Sequence, residues 1–188
     1  MHPCSRDPST AARAVAPAAL VAALLLVPAG GAGAAYFGLD GSAMTLGDGG
    51  GAVVDEDDPD PRGGRLRLGA RLGDRLDVEL HAGRSSAEDG ATFERLRVGW
   101  IGAYLKAYLP VGSRSALYAL GGVAGARVGR ELGGREIEDE RGGLSYGAGL
   151  ETELTERIDL SADWVRYLDD EGGLGEVDAV SIGLKLYF

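Results

Sequence analysis

The last twelve residues of the chain, 177–188 (V-D-A-V-S-I-G-L-K-L-Y-F), alternate with period two. Val180, Ile182, Leu184, Leu186 and Phe188 fall on one face, and Ser181, Gly183, Lys185 and Tyr187 on the other. Such alternation predicts a β-strand with one apolar and one polar face. Seven earlier segments are predicted to be strands: 35–45, 65–72, 75–84, 93–109, 115–128, 144–154 and 158–168. The second sets Leu66, Leu68, Ala70 and Leu72 against Arg65, Arg67, Gly69 and Arg71, and the third sets Leu76, Val78, Leu80 and Ala82 against Asp77, Glu79, His81 and Gly83. The fourth is clear only in its second half, where Leu105, Ala107 and Leu109 oppose Tyr104, Lys106 and Tyr108; its first half is ambiguous in phase. The fifth is Gly-rich and weakly patterned.

The connections alternate long and short. Short turns follow the second, fourth and sixth strands, and the long connections (47–64, 85–92, 129–143 and 169–176) are polar and charged. Membrane-spanning barrels of the bacterial outer membrane show this asymmetry, with short periplasmic turns and longer external loops. The pattern therefore predicts an all-β fold, an eight-stranded antiparallel up-and-down transmembrane β-barrel with the apolar face in lipid. A soluble periplasmic or secreted barrel, its apolar face turned inward around a small apolar ligand, is the competing architecture.

On the membrane reading the polar faces point inward and form an interior charge network of Arg65, Arg67, Arg71, Asp77, Glu79, His81, Lys106, Glu151, Glu153, Asp163 and Lys185. Opposite signs fall on adjacent strands: the basic second beside the acidic third, the third beside Lys106 of the fourth, and Asp163 of the seventh beside Lys185 of the eighth. Cross-strand pairs form there, and enclosed charges must be paired. Eight strands leave an interior that side chains just fill, so no wide pore is expected. The aromatic residues Tyr36, Phe37, Trp100, Tyr104, Tyr108, Tyr118, Tyr146, Trp164, Tyr167, Tyr187 and Phe188 fall mostly near strand ends and are expected in interfacial girdles.

Composition narrows the reading. A chain of 188 residues suits one domain, and a net charge of −10 argues against a nucleic-acid partner. Apolar residues make up 45 %, yet mean hydropathy is −0.04, which excludes a helical membrane bundle and permits a barrel. Residues 1–34 stand apart: Arg6 and Arg13, then a ten-residue apolar run at 18–27, then small residues up to Ala34. This is a signal peptide with cleavage after Ala34, leaving 35–188 as the barrel domain. Cys4 lies within it, so no disulfide is expected in the mature monomer.

Three stretches carry a resemblance: R-L-G-D-R-L-D-V-E-L-H-A-G from Arg71 to Gly83, Y-L-K-A-Y-L-P-V-G-S-R-S-A-L-Y-A-L-G-G from Tyr104 to Gly122, and Gly143 to Trp164 with the terminal Tyr187-Phe188. Together with the segments between them, they make the chain resemble the small outer-membrane β-barrel proteins of the porin family, including the OmpA-type and OmpX-type barrels. The resemblance implies an outer-membrane location, a structural or surface-interaction role, contact with outer-membrane lipid and lipopolysaccharide, and Phe188 as an assembly signal read by the barrel-insertion machinery. No cofactor is implied.

The remaining chemistry is sparse. His81 with Ser85 and Ser86 raises a lipid A-modifying barrel enzyme, but the spacing does not match the His-x-Ser pattern of the lipid A deacylase barrels. The run Asp55-Glu56-Asp57-Asp58-Pro59-Asp60 has calcium-ligand chemistry without EF-hand spacing and is read as a solvated loop. Arg166 shares the phase of Trp164 and is expected to reach a headgroup phosphate.

Overall fold

All eight alternating segments form strands in the computed structural model, which describes residues 34–46, 61–89, 94–132, 135–168 and 177–188. They are β1 (Ala35–Leu46), β2 (Arg62–Arg71), β3 (Leu76–Asp89), β4 (Glu94–Pro110), β5 (Ser115–Leu132), β6 (Arg135–Thr155), β7 (Ile158–Leu168) and β8 (Val177–Tyr187). Each pairs antiparallel with its neighbours in sequence, and β8 returns to pair with β1, closing a barrel. The closing register sets Tyr36 opposite Tyr187 and Leu39 opposite Leu184, and the Phe188 N–H donates to the Ala35 carbonyl at 3.0 Å. Closure satisfies the sheet edges, which is what allows strands to cross hydrocarbon at all. Among the described residues no helix is long and apolar enough to cross a membrane.

The short connections lie where the sequence predicts them. The β4–β5 turn passes through Gly112 at φ +84°, a left-handed conformation that favours glycine. At the opposite end several strands run past their expected limits. Residues 129–143 were expected to be a charged loop, yet the β5–β6 ladder continues through them to Leu132 opposite Arg135, and β3 continues to Asp89. Outside the lipid a ladder need not separate hydrocarbon from a polar interior, so it can continue without the apolar alternation that reveals a strand in sequence.

The apolar residues point outward. Leu39, Leu105, Val180 and Ile182 are each more than half exposed, and Leu66, Leu68, Leu144, Leu184 and Leu186 continue the band. An apolar belt around a whole barrel far exceeds the patches that soluble monomers tolerate. It corrects the competing soluble architecture, which required those side chains inside.

The aromatic residues correct a second expectation. Of those expected in girdles, only Phe37, Tyr146, Trp164 and Phe188 face outward. Tyr36, Trp100, Tyr104, Tyr118 and Tyr167 are buried inside the barrel, with Tyr108 and Tyr187 partly so. Parity is the reason: these residues alternate with the outward leucines, and a tyrosine among charged neighbours supplies both bulk and a hydroxyl.

Candidate functional site

The functional chemistry of the described residues is concentrated in the barrel interior, which has two layers. Toward the long connections it is apolar, built from Met44, Leu96, Val98, Trp100, Ala126, Val128, Val165, Tyr167, Val177 and Ala179. This layer was not anticipated. In the first half of β4 apolar residues occupy both faces, with Leu96, Val98 and Trp100 inward and Ile101 outward, which is why its phase could not be read.

Toward the short turns the interior is ionic. Glu79 on β3 is its centre, accepting hydrogen bonds from the Tyr36 hydroxyl at 2.6 Å, His81 Nε2 at 2.8 Å and Lys106 Nζ at 3.1 Å. Lys106 also donates to Glu151 at 3.1 Å, and Lys185 pairs with the same carboxylate. Both ammonium groups lie against aromatic faces, Lys106 at 3.7 Å from the Tyr118 ring centre and Lys185 at 4.1 Å from that of Tyr36. A second group joins Asp40 to Arg67 at 2.6 Å and to Arg65 at 3.0 Å. Arg65 reaches on to Asp163 at 2.8 Å, and Asp163 also accepts from the Tyr118 hydroxyl. At the mouth, Asp77 accepts from Tyr108 at 2.7 Å and faces Arg71 at 3.8 Å.

The carboxylates Asp40, Asp77, Glu79, Glu151 and Asp163 thus meet Arg65, Arg67, Arg71, Lys106 and Lys185, five against five. Such balance is what enclosure demands, because a lone buried charge is costly. The pairing scheme differs in part from the expected one. Arg65–Asp40 and Arg71–Asp77 join residues directly opposite on adjacent strands, and Lys106–Glu79 and Arg67–Asp40 join diagonal neighbours on adjacent strands, whereas other pairs cross the lumen. Asp163 was expected to meet Lys185 from β8 and instead binds Arg65 on β2, while Lys185 binds Glu151 on β6. Arg65, Lys106 and Lys185 are long enough to reach carboxylates on non-adjacent strands across the narrow lumen. Glu153 is exposed beside the β6–β7 turn, where the register shifts, and lies outside this network. Asp40 was missed, although its phase with Tyr36 and Gly38 and its register opposite Arg65 place it inside.

His81 is fully enclosed, stacked at 4.4 Å on Tyr104. Ser85 is buried and donates to the Met44 sulfur, and Ser86 faces outward, so the two serines expected beside His81 are not brought to it. Arg166 lies on the outer face as expected, where it makes a two-pronged ion pair with Asp178 at 2.8 and 2.9 Å. The acidic run 55–60 lies outside the described residues.

Interior aromatic rings lie directly on glycines of neighbouring strands. A Cβ built on Gly83 would sit 2.1 Å from the Trp100 ring, and one on Gly69 2.2 Å from Tyr36. The glycines are therefore sockets for the large side chains that fill the lumen.

A closed antiparallel barrel with an apolar exterior and a charge-balanced interior defines a membrane-spanning β-barrel. The family model described as outer membrane protein beta-barrel domain matches residues 15–188, and the chain belongs to that family. It is a protein of the outer membrane. No curated protein matches the sequence. Among solved structures, the chain is similar to Neisserial surface protein A at 18 % identity and a TM-score of 0.67, over 84 % of this chain and 99 % of that one. It is also similar to Ail, the attachment invasion locus protein of Yersinia pestis, at 17 % identity and TM-score 0.57, over 84 % and 99 %. The N-terminal β-barrel domain of Pseudomonas aeruginosa OprF matches at 17 % identity and TM-score 0.55, over 84 % and 100 %. At these identities the likeness is one of fold.

Proposed function

We propose that the protein is a monomeric, non-enzymatic surface barrel whose lumen is filled and whose interactions are made by its external end. The observation that carries this reading is the stacking of an apolar layer on a charge-balanced ionic layer inside one barrel. A solute would have to displace side chains from both. His81 is buried with Nε2 on Glu79 and has no hydrogen bond to a serine hydroxyl among the described residues, which supports a non-enzymatic role over lipid A chemistry. Residues 1–34 serve as the export signal, with cleavage after Ala34, and Phe188 presents the terminal aromatic to the insertion machinery. Lipid and lipopolysaccharide surround the apolar band. The test is conductance of the refolded protein in a planar bilayer. The expected result is no stepwise current; sustained steps of uniform size would overturn the filled lumen.

A further inference from the structure

We propose that Arg62, Arg84, Arg97 and Arg127 form a binding site for the phosphate groups of an outer-leaflet glycolipid. These residues lie on the outward face of four consecutive strands, β2 to β5. The register gathers them. Arg84 and Arg127 sit opposite Gly99 from its two sides, Arg97 is two residues along the same strand, and Arg62 is opposite Ser86, which is in turn opposite Arg97. Each arginine is thus the diagonal cross-strand neighbour of the next, about 7–8 Å away, so the long guanidinium side chains can converge on one multiply charged headgroup.

Height along the barrel fits that occupant. One or two outward positions toward the short turns, the same strands present the row Leu66, Ala82, Ile101 and Gly125. The arginines therefore cap the apolar band at the end where the long hairpins extend. That is the level at which lipid headgroups stand. Arg127 pairs with Glu140 at 2.7 Å on the exposed surface, whereas Arg62, Arg84 and Arg97 make no ion pair with a carboxylate among the described residues. The far wall is built differently, with Arg166 locked to Asp178. Gly99 adds a second observation, because a Cβ built there meets nothing within 4 Å, leaving open space between Arg84 and Arg127.

Arg62, Arg84 and Arg97, which pair with no carboxylate among the described residues, leave guanidinium donors for an external anion. Guanidinium forks match phosphate oxygens two at a time. A headgroup with two phosphates on one sugar core engages several arginines together, whereas a single phosphodiester engages one or two. The inference deepens the lipid contacts of the proposed function and rests on that reading.

The test is native mass spectrometry of the refolded protein with diphosphorylated lipid A, its dephosphorylated form and phosphatidylglycerol, comparing the natural chain with R84Q/R97Q. Retention of the electrophoretic shift between folded and boiled R84Q/R97Q shows that the barrel itself is intact, which separates failure of the site from failure of the fold. The natural chain is expected to retain diphosphorylated lipid A over the dephosphorylated form by about tenfold or more, the factor set by losing one charge-assisted contact, and R84Q/R97Q to lose the preference. Equal retention of both forms, or an unchanged preference in the folded variant, would overturn the site. Equal retention of phosphatidylglycerol, or displacement by millimolar inorganic phosphate, would assign the cluster to a single phosphate and overturn the glycolipid.

Discussion

Replacing Glu79 by alanine tests the account of the interior most directly. Among the described residues its carboxylate is the sole carboxylate acceptor for His81 and Tyr36 and one of two for Lys106. Removing one partner of a buried pair costs about 3–5 kcal/mol, because the other charge stays enclosed without compensation. Lys106 retains Glu151 at 3.1 Å, which places the expected loss toward the lower end of that range, about 3 kcal/mol. The assay is equilibrium unfolding in denaturant of barrels refolded into the same lipid, with Lys106→Ala and the double variant completing a cycle. The double variant should fall short of the sum of the singles by about 0.5–3 kcal/mol, the coupling of groups in contact. The exposed Arg127–Glu140 pair supplies the control, since breaking a solvated surface pair costs at most about 1 kcal/mol. If Glu79→Ala destabilises no more than Glu140→Ala, water reaches the carboxylate and the packed interior is wrong.

Further predictions follow from the two faces. Gly83→Ala should destabilise the barrel by about 1–3 kcal/mol, because the new Cβ would collide with the Trp100 ring, whereas Gly99→Ala should be near neutral; thermal loss of the folded electrophoretic form measures both. Leu184→Arg places a charge in the apolar band beside Leu39 and should cost about 2–4 kcal/mol in the same unfolding assay, with an unchanged midpoint counting against lipid contact there. Phe188→Ala should slow assembly in cells while leaving refolding in detergent intact, read as the ratio of folded to unfolded protein in outer-membrane fractions.

How much of this was legible in the sequence depended on where a residue stands along the barrel. Through the lipid, each strand separates hydrocarbon from a polar interior, so β2, β3 and β8 announced themselves by strict alternation. Above the lipid the rule lapses: β5 and β6 continue through residues 129–143 without it. In the external half of β4 the rule fails differently, because Val98 meets an apolar interior and Ile101 meets lipid. The membership of the ionic layer could be read from parity, which places Arg65, Lys106 and Lys185 inside. Adjacent-strand partners such as Lys106–Glu79 and Arg71–Asp77 followed from strand order, but those across the lumen did not, since parity is silent about which side chains reach over it. The tyrosines were misplaced for a related reason: proximity to strand ends was given more weight than the inward phase they share with the charges.

Arg65 shows what pairing across the lumen implies for the order of events in assembly. It sits on β2 and grips Asp40 of β1 and Asp163 of β7 together. In an unrolled sheet β1 is at one edge and β7 is beside the other, so no open intermediate brings those two carboxylates to one guanidinium. The contact becomes available only when β8 meets β1. Arg65 thus acts as a latch, holding the two margins of the sheet once they have met and adding its stabilisation at the moment of closure.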